Sequence, residues 1–296
     1  MADNSTQRKR SKRLWVIALI LSLLLLLGSL IYWIVSRRLW ETPLNPSDFH
    51  TTYPSITTDT TALPTTTIPI VTQESLMTSD TETETVTETT QPPLADNPVD
   101  FPSLQEINPD VYAWIYLPMG PEKPDIDLPV LQPRPEDNDN FYLHKDIHRN
   151  YLFAGCIYTQ KANAKDFSDR VTVVYGHNML DGTMFSNLVY FQNADFFDKH
   201  EFFYIYTPGH ILTYRIAAAI QFDTRHLLNC FDFSDDRVFE NWIQNYILHP
   251  KSMIRSVRKD VEVTTEDKLV ILSTCLEHGA SRYLIQGVLI HDEPTN

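Results

Sequence analysis

The chain has 296 residues, enough for one or two domains with appendages, and its net charge of −14 divides into +6 over residues 1–38, −13 over 39–122 and −7 over 123–296. A chain this acidic beyond residue 38 argues against nucleic acid as a partner, because neutralising phosphates takes clustered Lys and Arg. Its eight glycines form neither a G-x-G-x-x-G nor a G-x-x-x-x-G-K pattern, and H-E-x-x-H and C-x-x-C are also absent, which removes dinucleotide, P-loop and the commonest zinc and dithiol sites.

Residues 1–13 read as a basic cytoplasmic tail. The next 22, Leu14 to Val35, carry no charge, and a helix of that length spans about 30 Å, the thickness of a bilayer core. A cleavable signal peptide is the rival reading, but its apolar part would run to only about 7–15 residues and end at a small-residue cleavage site. This run is longer and ends in Ser36-Arg37-Arg38, which predicts a single transmembrane anchor contacting lipid over residues 14–35. Arg8, Lys9, Arg10, Lys12 and Arg13 outnumber Arg37 and Arg38, so the N-terminus is expected in the cytoplasm and the remainder outside the cell membrane.

Residues 36–100 form a Thr/Pro/acidic zone: Thr supplies seventeen of the forty residues from Thr51 to Thr90. Such a segment buries too little apolar surface to offset the entropy of ordering, which predicts a disordered stalk with a reach on the order of 40 Å. The Thr, Ser and Pro content also suits O-glycosylation. An acidic ligand motif is the alternative to a spacer.

From residue 101 to 296 the texture is that of one globular domain. Ser103 to Ile115 reads as a short helix or helix pair broken at Asn108-Pro109. Short strands are predicted over Leu128–Gln132, Gly155–Tyr158 and Val171–Tyr175, followed by a hairpin of Phe202–Tyr206 and Leu212–Ile220 around Pro208-Gly209. Asp235 to Leu248 has helical spacing of Val238, Trp242, Ile243, Tyr246 and Ile247, and two strands, Leu269–Cys275 and Tyr283–Ile290, close the chain. Many short strands and one late helix predict a mainly β, closed barrel.

Three cysteines lie in this domain. Cys156 sits in an apolar strand and reads as a core residue, and Cys230 is also assigned to packing. Cys275 ends a strand, and Arg282 opens the next after a six-residue connection, so a hairpin sets a thiol beside a permanently charged guanidinium. That neighbour favours thiolate and can hold an oxyanion. Among ten histidines, His177 stands where the apolar strand Val171–Tyr175 hands over to a loop, a frequent place for catalytic groups. His144 and His148 have the spacing of a helical metal pair but stand in a loop-like context. His200, His210, His226 and His249 read as surface or packing residues, and His278 lies in the turn after Cys275.

Tyr175-Gly-His-Asn-Met179 with Asp181-Gly-Thr-Met-Phe-Ser-Asn-Leu188 resembles the histidine segment of sortases, class B in particular. Leu272-Ser-Thr-Cys275 followed by Arg282 resembles the family's Thr-Cys…Arg ending, with a shorter connection than is usual in class B. Asn108 to Ile115, Leu128 to Gln132, Phe141 to His144 and the helix of 235–248 are similar to other class B landmarks, so the resemblance covers about residues 101–291.

The resemblance implies a sortase-type barrel and a membrane-anchored cysteine transpeptidase of Gram-positive bacteria. Cys275 would attack the carbonyl after Thr in the C-terminal sorting signal of a surface protein. An amine of a cell-wall precursor or a pilin would then resolve the thioester. His177 would carry the proton, Arg282 would hold the oxyanion or the substrate backbone, and Ser273 and Thr274 would line the substrate groove. No cofactor or metal is implied. Two alternatives stay open from the residues: a cysteine endopeptidase with water as main acceptor, and a non-catalytic anchored surface module.

Overall fold

Helix α1 (Phe101–Ile107) opens the ordered domain because Asp100 caps it: its carboxylate accepts from the Ser103 amide at 3.1 Å and the Ser103 hydroxyl at 2.7 Å. The computed structural model describes residues 15, 19–31, 48–50, 94–121, 123–276 and 280–296. The basic tail 1–13 and most of the 36–100 stalk lie outside the described residues. Within 14–35, residue 15 and residues 19–31 are helical and exposed, and no helix among the described residues is long and apolar enough to cross a membrane.

α1 stops at Asn108-Pro109, but no second helix follows. Residues Val111–Leu117 form strand β1, correcting the expected helical restart to Ile115. Both faces of this strand are covered: Ala113, Ile115 and Leu117 face the barrel core, while Val111 and Trp114 pack with Phe101 and Leu104 of α1. A strand buried on both sides loses its polar/apolar alternation, so periodicity cannot separate it from a buried helix.

The chain continues through β2 (Ile126–Leu131), a 3₁₀ turn (Phe141–His144), β3 (Ile157–Thr159) and β4 (Val171–Tyr175). After a second 3₁₀ turn come α2 (Ala194–Lys199) and the hairpin β5 (Phe202–Thr207) and β6 (His210–Phe222). Between β6 and β7 (Arg255–Val257) lie α3 (Leu227–Cys230) and α4 (Asp236–Trp242), the latter running into a π-helical turn, Ile243–Leu248. Strands β8 (Leu269–Leu276) and β9 (Ser281–Pro294) complete the fold.

The sheet order is β5-β1-β2-β3-β4-β8-β9-β6-β7, and β5 also pairs with β6. Eight strands therefore close into a barrel, with β7 added beside β6, so no edge of the ring is left unpaired. Val174, Leu272, Ile285, Ile216 and Ile205 fill the interior. Outside it, Val173, Ile271, Leu284 and Ile220 meet Phe239, Trp242, Ile243 and Ile247 of the α4 insertion. At roughly 1.5–3 kcal/mol for each fully buried large side chain, this outer layer binds the insertion to the barrel wall. Gln286, buried in this layer, accepts from Trp242 Nε1 at 2.8 Å and donates to the Tyr246 carbonyl at 2.6 Å.

Residues 48–50, within the segment assigned to the stalk, dock on this domain. The Phe49 carbonyl accepts from the Asp100 amide at 2.9 Å, and His50 lies 2.6 Å from Asp127, which also accepts from Trp114 Nε1.

Candidate active site

Cys275 and Arg282 face each other across the β8–β9 ladder, and Arg282 Nη1 donates to Cys275 Sγ at 2.8 Å. The short connection thus does not prevent the guanidinium from reaching the sulfur. Both side chains lie on the barrel's outer face, in line with Ser273 and Ile271, because alternate residues of a strand share a face.

β4 runs parallel to β8 with Tyr175 opposite Ser273, which carries His177 to the level of Cys275. Three bonds hold that placement: the Gly176 amide to the Ser273 carbonyl at 3.2 Å, the Thr274 hydroxyl to the Gly176 carbonyl at 2.9 Å, and Asn178 Nδ2 to the Cys275 carbonyl at 2.9 Å. Thr274 therefore does not line a groove. It is 1 % exposed with its hydroxyl committed to Gly176, since it points to the face opposite Cys275. Ser273 stands on the Cys275 face, itself buried beside Tyr175.

His177 Nε2 donates to the Leu143 carbonyl at 2.9 Å. A carbonyl only accepts, so Nε2 carries the hydrogen of the neutral ring and Nδ1 keeps the lone pair. Burial chiefly, then the charges of His144 and Arg282, push His177 below the ordinary imidazole value of 6.5, although the bond to Leu143 works the other way. His177 is thus neutral at neutral pH and able to accept a proton. An unfolded chain takes up this proton below about pH 6.5, while the folded one resists it. His177 is expected to stabilise the fold above that pH and to contribute less as pH falls towards its folded value. An NMR titration of the His177 ring in folded protein should report a midpoint below 6.5, and His144→Gln should raise it.

Tyr142, the residue before Leu143, is held in turn by a buried network. Asp110 accepts from the Tyr142 hydroxyl at 2.5 Å, Arg134 at 2.9 Å and Arg149 at 2.6 Å, while Asn108 donates to the Tyr142 oxygen at 2.8 Å. Burial works against a charged Asp110, but these partners win and hold its carboxyl below the usual carboxylate range.

On the Ser273 side, Tyr158 and Tyr175 stack at 5.5 Å between centroids, with His226 6.2 Å from Tyr175. Tyr175 has a buried hydroxyl with no hydrogen-bond partner among the described residues, and the Arg282 charge acts on it. His226, read from the sequence as a surface or packing residue, thus neighbours the ring beside Ser273. His144 is not paired with His148: it ends the 3₁₀ turn and stacks on His177 at 5.1 Å. Among the described residues, no group of three or more His, Cys, Asp or Glu is placed to hold a metal ion. Sequence reasoning missed Asp110, Tyr142 and His144 as parts of the site; the Phe141–His144 segment drew attention as a resemblance, and His144 as half of a possible metal pair.

All three cysteines are free. Cys156 is buried and its thiol is pushed up by burial, as suits a core residue. Cys230 corrects the packing assignment: it is exposed, on the wall of a cavity of about 1140 Å³ between α4 and the end of β6. Residues 277–279, with His278, lie outside the described residues.

The chain matches no family model. It is 31 % identical over 192 residues to sortase B of Listeria monocytogenes, covering 63 % of this chain and 72 % of that protein. The chain belongs to the sortase family, class B. It is a cysteine transpeptidase by that membership. The fold agrees with solved sortases. The Staphylococcus aureus sortase B structure superimposes with a TM-score of 0.55 at 28 % identity, over 66 % of this chain and 88 % of that one. A Streptococcus pyogenes class B sortase involved in pilus biogenesis gives 0.52 at 29 %, over 65 % and 98 %.

Proposed function

We propose that Cys275 is the nucleophile, His177 the proton carrier and Arg282 the oxyanion donor of this transpeptidase. The observation that carries the reading is the 2.8 Å contact between Arg282 Nη1 and Cys275 Sγ, with His177 brought level by the β4–β8 pairing. His177 Nδ1 takes the thiol proton, Cys275 adds to the carbonyl after Thr in a sorting signal, and Arg282 balances the charge that develops on oxygen. The C–N bond breaks as His177 protonates the departing amine, leaving a thioester. An amine of a cell-wall precursor or a pilin reverses these steps on the same carbonyl.

Short peptides carrying Thr on the acyl side of the scissile bond test this. Cys275→Ala is expected to abolish any covalent adduct seen by mass spectrometry, while Cys156→Ala and Cys230→Ala retain it. An adduct mapped to another cysteine overturns the assignment. Added amine should divert product from acid to amide; acid alone would make the protein an endopeptidase that uses water.

The chemistry also needs the enzyme where surface proteins emerge. The uncharged run 14–35, with more basic residues before it than after, supports an anchor with the N-terminus inside and the barrel outside. Protease added to intact cells should then release a fragment beginning in the Thr-rich segment; a barrel protected until the membrane is opened refutes this topology.

A further inference from the structure

A group that protonates a departing amine stands on the departing side of the scissile bond. In the order of the sheet, Arg282 lies on β9, Cys275 on β8 and His177 at the end of β4, so the amine side lies beyond His177, over the connection between β2 and β3. That connection presents rings. Phe153 stacks on His177 at 5.8 Å and 18°, His144 stacks on both, and Tyr151 stands 6.3 Å from His144.

Tyr151 and Phe153 are 64 % and 46 % exposed, whereas Leu152 between them is buried and pins the turn. The Leu152 amide donates to the His144 carbonyl at 3.2 Å, His144 Nδ1 donates to the Phe153 carbonyl at 3.0 Å, and Arg149, at φ 66°, is tied to Asp110 and Asp137. Two large aromatic side chains are thus held towards water on a fixed turn beside the imidazole. Exposed ring faces suit peptide planes, apolar side chains and an ammonium group.

We propose that Tyr151 and Phe153 form the amine-side subsite, a platform for the chain that bears the amine: first the departing peptide, then the incoming acceptor. The two share one place because aminolysis retraces acylation. The proposal rests on the transpeptidase reading above. In the second half-reaction the acceptor nitrogen bonds to the thioester carbonyl and its proton passes to His177 Nδ1. The C–S bond then breaks, and Cys275 leaves as thiolate and recovers its proton from His177.

The test partitions one acyl-enzyme between two amines. Hydroxylamine is too small to reach the platform, whereas leucyl-glycinamide extends across it, and both need the same imidazole. In Tyr151→Ala and Phe153→Ala the ratio of leucyl-glycinamide to hydroxylamine capture is expected to fall about tenfold. Tyr151→Phe keeps the ring face and should restore the ratio. On the leaving side, peptides with Leu after the scissile bond should lose their kcat/KM advantage over those with Gly in the same alanine variants. Ratios equal to wild type in both alanine variants overturn the subsite. If wild-type protein captures neither amine, the transpeptidase reading itself fails and the subsite with it.

Discussion

Arg282→Lys is expected to lower kcat by about 10²–10³, with folding intact, the typical cost of losing one oxyanion donor. Arg282 lies at the mouth of the β8–β9 hairpin with a guanidinium N–H 2.8 Å from the sulfur of Cys275, the proposed nucleophile. The oxyanion forms two bonds away from that sulfur, on the carbon it attacks, so a planar fork can bridge the two as charge moves from sulfur to oxygen. An ammonium is a point charge on a flexible stem and cannot reproduce two donors in one plane. The loss should therefore appear in kcat, because the second contact exists only in the transition state. If Arg282 served only as a counter-charge, lysine would substitute. Turnover and thermal unfolding measured on one preparation separate these readings: near-wild-type kcat in the lysine variant removes Arg282 from the catalytic set.

The second large effect is expected at Gly155, far from the sulfur in sequence. Gly155 has φ +62°, and a Cβ placed there would lie 2.3 Å from the Leu143 oxygen and 2.5 Å from the Tyr142 oxygen. Both are backbone atoms, so no side-chain rotation relieves the contact. The left-handed conformation costs alanine about 1–2 kcal/mol and forced displacement roughly 1–3 more. Gly155→Ala should thus lower Tm by on the order of 10 °C. It should also impair catalysis in the molecules that remain folded, because the displaced Leu143 carbonyl is the acceptor that fixes the His177 tautomer. Gly209→Ala supplies the comparison: at φ +96° with nothing within 4 Å of the added Cβ, it carries backbone strain alone. Equal kcat in the two variants, assayed well below either Tm, would show that Leu143 does not orient His177.

The elements that sequence reasoning recovered are those encoded locally. The hairpin of β8 and β9 is one continuous stretch, so pairing Cys275 with Arg282 needed only strand alternation and a short turn. The β5–β6 hairpin and the helix capped by Asp235 were legible for the same reason, the cap being a side chain that accepts from the Arg237 and Val238 amides. β1 was not, since burial on both faces erased its period.

The strand-to-loop position of His177 marked it as a candidate, yet its place beside Cys275 depends on the parallel register of β4 and β8, whose linking bond from Thr274 to Gly176 spans 98 residues. No local pattern encodes that register. It is set when the ring closes and both faces of β4 and β8 become buried. The support behind His177 is equally non-local: Asp110 meets Arg134, Tyr142 and Arg149 across 24, 32 and 39 residues. The sequence by itself determined the barrel class, the thiol–guanidinium pair and the histidine candidate. Only the tertiary structure decided that Thr274 fastens strands, that Cys230 faces a cavity and that His144 stacks on His177. Side-chain chemistry and short-range periodicity are written residue by residue, whereas strand register and the burial of a given face are properties of the whole closed sheet.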